Sequence, residues 1–303
     1  MTYNGGIMAK YTLDDDVVDA YIEAGKLAKK RLEIAASMVK PDALILDVVE
    51  STEQAIRDDG ADIAFPVNIS LNEAAAHDTA SFGDERVFSK GDVVKVDLGV
   101  LVNGYIADTA MTVDLGDHAK LVEASRNALN TAASMVKPGV RTGEIGAAVQ
   151  AEIEKLGFLP VSNLTGHGLG YYHLHGIPTF PNVAVSGGTV LEEGMTFAIE
   201  PFATTGSGHV TGAPRTEIFS QIGRRPVRLP SAKALLRTIE TRKTLPFSRR
   251  WYHDKNSEVN IVRMCNEGIL TDYPVLRDIQ GSYVSQAEHT FIVTEDGCII
   301  TTA

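Results

Sequence analysis

The sequence predicts an α+β chain built from two related halves. Three observations carry this: a repeated helix–turn–helix unit, a pair of acids in matched context in each half, and a hairpin whose register aligns one pair. The heptapeptide AASMVKP occupies residues 35–41 and recurs at 132–138, 97 residues later. Each copy ends a stretch with apolar residues at helical spacing, 14–38 and 117–135, and each is followed by a second such stretch, 45–56 and 143–156. Asp14, Asp15 and Asp16 suit the positive end of the first helix.

Strand-like segments follow each unit. KGDVVKVD and EEGMTFAIE both place an acid six residues after a glycine, Asp97 after Gly91 and Glu200 after Gly194. ADTAMTVDLGD and AEHTFIVTEDG both place an acid five residues before a valine, Asp108 before Val113 and Glu288 before Val293. The acids lie 11 residues apart in the first half and 88 in the second, so the second half carries an insertion, assigned to residues 215–270. Two helical patterns mark it as a small helical subdomain: 232–242 behind Ser231 as N-cap, and 258–267 behind Ser257.

The first acid pair has a defined geometry. VVKVDLGVLV and YIADTAMTV flank Asn103-Gly104, a strong hairpin signal. If Val102 faces Tyr105, Asp97 faces Ala110, and Asp108 falls on the same sheet face as a diagonal neighbour of Asp97 at roughly 7–8 Å. Like charges on one face resist burial and call for a cation or a raised pKa. With Glu200 and Glu288 brought in by the repeat, about four negative charges would share a site that two divalent ions neutralise.

The histidines narrow the chemistry. TGHGLGYYHLHG holds His167, His173 and His175 in a glycine-rich stretch, and His77 precedes the acidic hairpin. One imidazole among carboxylates suits manganese, iron, cobalt or zinc better than magnesium. His118, His173, His209, His253 and His289 are read as structural or surface residues. H-E-x-x-H, G-x-S-x-G and Walker signatures are missing, and GHGLG lacks the setting of a dinucleotide fingerprint, which argues against a nucleotide enzyme.

Composition bounds the rest. The 303 residues, 44% hydrophobic and 22% charged, suffice for a folded core without staples. Isolated Cys265 and Cys298 fit buried or inert thiols in a reducing compartment. Residues 1–20 lack a signal-peptide core and no run reaches bilayer-spanning length, so a cytoplasmic protein is expected, with no membrane partner. A net charge of −11 disfavours nucleic acid through its long-range field. A monomer is expected.

The motifs AFPVNISLNEAAAH, KVDLG, ADTAMTV, LTGHGLG, HGIP, FAIEPFATTG and SQAEHTF, in this order over nearly the whole chain, resemble the duplicated "pita-bread" metallopeptidases. The insertion before SQAEHTF resembles their type 2 methionine aminopeptidase branch, and the N-terminus, without a lysine-rich extension, resembles its archaeal form more than its eukaryotic one. The resemblance implies a single catalytic domain, 1–303, with a curved antiparallel sheet, pseudo-twofold halves and flanking helices. It implies two divalent ions (cobalt, manganese, iron, zinc or nickel) held by Asp97, Asp108, His167, Glu200 and Glu288, with Asp108 and Glu288 bridging. It further implies that Glu200 handles the proton, that His77 contacts the scissile amide and His175 the developing oxyanion, and that nascent-chain N-termini are the substrate. Aligned through FPxxxSLNEAAAH and DYPVL, Phe65 and Tyr273 fall at pocket aromatics, with Leu174 and Ile218 beside them; a histidine of some members is replaced near Ile218. Two rivals share the fold. X-Pro aminopeptidases and prolidases normally carry a sizeable N-terminal domain, against about 11 residues before the first helix here, and non-catalytic proliferation-associated proteins have lost metal ligands that this chain keeps.

Overall fold

The computed structural model describes residues 13–303; the expectations for the first residues of the chain lie outside the described residues. In the first half, α1 (Asp15–Met38) and α2 (Ile45–Asp58) precede β1 (Asp62–Leu71), β2 (Ala74–Ala76), β3 (Val93–Val102) and β4 (Tyr105–Asp114). The second half begins with α3 (Ala119–Met135) and α4 (Thr142–Lys155), then β5 (Leu159–Pro160), β6 (Thr165–Gly170), β7 (His173–Pro181), β8 (Thr196–Ile199), β9 (Phe202–Thr204) and β10 (Thr211–Gln221). After α5 (Pro230–Glu240), β11 (Phe247–Ser248) and α6 (Lys255–Asn266), the chain closes with β12 (Leu270–Arg277), β13 (Val284–Gln286), β14 (His289–Val293) and β15 (Cys298–Ile300). The helix pairs expected from the repeat are present to within two residues at every end.

Both helix pairs cover sheets. α1 buries Ala20, Tyr21, Ala24, Gly25, Ala28, Leu32 and Ala35, a stripe at three- and four-residue spacing. Its small residues admit close approach, so with α2 it shares a core containing Ile63, Ile69, Val96 and Val100. α3 and α4 do the same for the second half through Leu121, Leu129, Ile145 and Val149 against Phe197 and Phe291. The sheet orders are β1-β3-β4, β15-β14-β8-β6-β7, β13-β9-β5 and β11-β10-β12-β2, with antiparallel pairing at each of these contacts. The result is the duplicated, curved antiparallel architecture that the sequence implied. Among the described residues no helix is long and apolar enough to cross a membrane.

The two halves meet along β4. Glu288 N–H donates to Ala110 O at 3.0 Å, and threonine hydroxyls complete the seam. Thr109 Oγ1 donates to Glu288 O at 2.9 Å, Thr112 Oγ1 to Gln286 O at 2.7 Å, and Asp108 N–H to Thr290 Oγ1 at 2.8 Å. Side-chain oxygens thus satisfy buried main chain where no continuous ladder forms.

The segment between β10 and β12 has its own small core, including Val227, Leu235, Ile239, Ile261 and Met264. Its helix starts differ from those read in the sequence. α5 begins on Pro230 behind Leu229, because proline has no N–H to orphan and its φ is already helical. α6 is capped by Asp254, whose carboxylate accepts from Asn256 and Ser257 N–H at 2.7 and 2.9 Å, three residues before the expected Ser257. Buried arginines fasten the segment to the first half. Arg250 Nη2 donates to Glu53 Oε1 at 2.9 Å, and Arg242 Nη2 donates to the carbonyls of Ile63, Ala64 and Pro246 at 2.6, 3.1 and 3.0 Å.

Candidate metal centre

Asn103 and Gly104 adopt φ of 51° and 89°, the pair of positive values that a type I′ hairpin turn needs. The register that follows places Val102 opposite Tyr105, Asp97 opposite Ala110 and Gly99 opposite Asp108. Asp97 and Asp108 therefore share one face as diagonal neighbours. From the second half, Glu200 leaves the end of β8 and Glu288 enters the start of β14, where His289 lies opposite Ile199. His167 projects from β6, opposite Ala198.

These residues converge. Asp108, His167 and Glu288, all buried, bring ligand atoms within 4.8 Å of one another. His167 Nε2 lies 3.6 Å from Asp108 Oδ2 and 3.7 Å from Glu200 Oε1. Asp97 is joined to the group by Gln286, whose Nε2 donates at 3.4 Å to Asp97 Oδ2, Glu200 Oε2 and Glu288 Oε2. The sequence reading missed Gln286, although it stands two residues before Glu288, the spacing that returns to one side of an extended chain.

Burial dominates the electrostatics. It pushes Asp97 up to about 7, with the Gln286 amide opposing. Burial, then the neighbouring carboxylates, holds Asp108 and Glu288 well above the usual range, and burial and Asp97 do the same to Glu200. Among the described residues no lysine or arginine pairs with any of the four. Asp97 Oδ1 and Asp108 Oδ1 are buried without a hydrogen-bond partner. Uncompensated carboxylates with orphan oxygens, one imidazole beside them, fit a divalent cation of the transition series. Burial lowers His167 to about 3, leaving it the neutral imidazole that a metal requires.

The acids floor a cavity of about 300 Å³ whose lining includes Phe65, Asn68, His77, Leu174, His175, Ile218 and Tyr273. His175 reaches it from β7, its ring 4.7 Å from that of His167, and His77 sits edge-on to Tyr273 at 5.5 Å. Burial and then repulsion from His175 lower His77 to about 4, and burial and His173 lower His175 to about 4, so both are neutral near pH 7. Ile218 of β10 is the register partner of Tyr273 of β12, and the Tyr273 hydroxyl lies 3.1 Å from Ser220 Oγ. Gly99 makes room for Phe65: a Cβ there would lie 2.7 Å from its Cδ1. The histidines read as structural fall elsewhere. His118 packs at a tilt against Tyr283, His253 stacks on Phe82, and His289 Nδ1 lies 2.9 Å from Thr302 Oγ1; none of these, nor His173 or His209, lines the cavity.

Duplicated halves that each send two acids to one buried point, with a histidine among them, define a metal-dependent hydrolase. Known proteins narrow the class. Residues 19–295 match the model for metallopeptidase family M24. The chain is 47% identical to a methionine aminopeptidase of Archaeoglobus fulgidus, over 96% of this chain and 100% of that protein, and 45% identical to one of Pyrococcus horikoshii, over 94% and 99%. Among solved structures, a methionine aminopeptidase from Thermotoga maritima superposes with a TM-score of 0.72 at 24% identity, covering 96% of this chain and 98% of that one. A thermophilic Arx1 gives 0.86 at 17% identity, covering 96% and 91%. The last two likenesses establish the fold. The chain belongs to metallopeptidase family M24 and, within it, to the methionine aminopeptidases of the archaeal, type 2 form.

Proposed function

We propose that the protein removes the N-terminal methionine from nascent proteins and peptides, favouring small second residues, and that Asp97, Asp108, His167, Glu200 and Glu288 hold two divalent ions, of cobalt, manganese, iron, zinc or nickel, for that reaction. The observation that carries the reading is an apolar recess opening directly onto a buried four-acid cluster. When bound, such ions acidify a water and polarise the scissile carbonyl. The side chains account for the rest. Glu200, whose carboxylate lines the cavity 3.7 Å from His167 Nε2, would take and return the proton. His77 and His175, neutral at working pH, offer N–H groups without adding charge, His77 to the scissile amide and His175 to the developing oxyanion. Phe65, Leu174, Ile218 and Tyr273 would enclose the thioether, where each sulfur–aromatic contact contributes ~0.3–1.5 kcal/mol. A charged first residue would be desolvated there without a partner, at several kcal/mol.

We further assign residues 1–303 to one catalytic domain and 215–270 to a subdomain inserted in its second half, which supplies Ile218 and borders the recess at Pro246. Metal analysis combined with methionine release from Met-Ala tests the function. Chelation should abolish release and re-addition restore it with up to two ions per chain; release unaffected by chelation would contradict the reading.

A further inference from the structure

Among the described residues that line the cavity, His77 alone has its backbone in the left-handed region, at φ 64°. A residue with a side chain keeps that conformation only where its surroundings hold it. On one side β2 supplies the hold, since Ala76 pairs with Leu276 of β12. On the other side the three residues after His77 are gripped by arginines. Arg86 Nη1 and Nη2 donate to the Asp78 carboxylate at 2.8 and 3.2 Å, and Arg215 Nε donates to the same group at 3.3 Å. The two guanidinium groups also share Thr79 O, at 3.1 and 2.9 Å, and Asp84 Oδ2, at 2.8 and 3.2 Å. Arg250 Nε donates to Ala80 O at 3.3 Å. Asp78 O in turn accepts from Ile69 N–H at 2.7 Å, and Thr79 Oγ1 donates to Val67 O at 2.7 Å.

Two carboxylates and two guanidinium groups balance in charge, and both acids are buried. Forked bonds of this kind fix direction as well as distance. Asp78 is the member joined to His77 by a single peptide bond, so holding it restricts where the preceding residue can lie. Arg215 stands on β10 and Arg250 directly after β11, so the inserted segment takes part in the hold. We propose that Asp78, clamped by Arg86 and Arg215, is the positioning residue for His77: the clamp fixes the left-handed turn that keeps the imidazole on the cavity wall beside Tyr273. Asp78 does not itself line the cavity and acts through His77. The role rests on the aminopeptidase reading, in which His77 meets the scissile amide.

The test is a double-mutant cycle on the metal-loaded protein, with kcat for Met-Ala read in wild type, Asp78→Asn, His77→Ala and the double variant. Asparagine keeps the shape and breaks the clamp, and the freed arginine side chains, 32% and 35% exposed, are within reach of water. In the wild-type background the change should lower kcat about tenfold or more, with KM changing less than about threefold; in the His77→Ala background it should lower kcat by less than about twofold. A residue that merely supports the fold would cost the same factor in both. Metal content should stay at the wild-type level. In the metal-free protein the His77 ring resonances, identified by their loss in His77→Ala, should shift in Asp78→Asn. Unchanged kcat, equal losses in both backgrounds, unmoved ring resonances or loss of metal would overturn the assignment. Arg215→Met, which opens the clamp from the side of the insertion, carries the same comparison should Asp78→Asn fail to fold. Absence of wild-type turnover of Met-Ala sinks the aminopeptidase reading and this role with it, whereas normal wild-type turnover with equal losses sinks only the role of Asp78.

Discussion

Replacing Asp97 by asparagine should strengthen the metal-free protein while weakening its hold on metal. Burial lifts the Asp97 carboxyl from 3.8 to about 7, against the pull of Gln286. A rise of about three units corresponds to on the order of 4 kcal/mol. A carboxyl whose pKa is raised by folding holds its proton more tightly folded than unfolded. Its contribution is therefore present in full below about pH 4, declines as pH climbs, and is lost above about 7, where the buried anion opposes the fold. Asparagine has the same shape and never ionises. The variant and wild type should match near pH 4 and diverge by up to ~4 kcal/mol at pH 8. Relief of Asp108, Glu200 and Glu288, each raised in part by Asp97, acts in the same direction. Urea unfolding of chelator-treated protein at the two pH values measures this, and a variant no more stable than wild type at pH 8 would refute the electrostatic account. Added metal should reverse the ranking, because only the protein with all its ligands gains fully from binding.

Other expectations follow from the same geometry. Asp108→Asn and Glu288→Gln should each abolish turnover, since an amide keeps the shape but loses the charge and basicity that bind metal; retained activity with bound metal in either would contradict the site. His167→Ala should lower metal stoichiometry, whereas His77→Ala and His175→Ala should keep metal and lose about 10²- to 10³-fold in kcat. Loss of both ions on His77→Ala would reverse that division. Arg242→Met removes the donor to three buried carbonyls flanking Phe65 and Pro246, so thermal unfolding should report a loss of ~3 kcal/mol, with KM for Met-Ala rising more than kcat falls. An unchanged melting temperature would show that these bonds contribute nothing net.

What the sequence disclosed is what local pattern encodes. Helical periodicity and the repeat placed α1 to α4, and Asn103-Gly104 alone fixed which residue faces Asp97. Matched contexts then brought Glu200 and Glu288 to the same point, although 88 residues separate them. Long-range pairing was not legible. Gln286 acts by reaching acids up to 189 positions away, and Asp78 is distinguished only by arginines that reach it from 8 and 137 positions away. Nothing in the spacing of Arg242 and Arg250 indicates that both are buried against β1 and α2. At α6 two capping residues compete three positions apart, and the carboxylate, the stronger acceptor, takes the cap from Ser257.

The central claim joins a metal centre to a methionine-sized recess, and one comparison tests it most directly: kcat/KM for Met-Ala, Met-Lys, Lys-Ala and Ala-Pro peptides under a single metal condition. Phe65 and Tyr273 beside the acids predict that Met-Ala leads by at least about tenfold, with Lys-Ala rejected because its ammonium would be desolvated unpaired in the recess. Cleavage of Ala-Pro above Met-Ala would contradict the account.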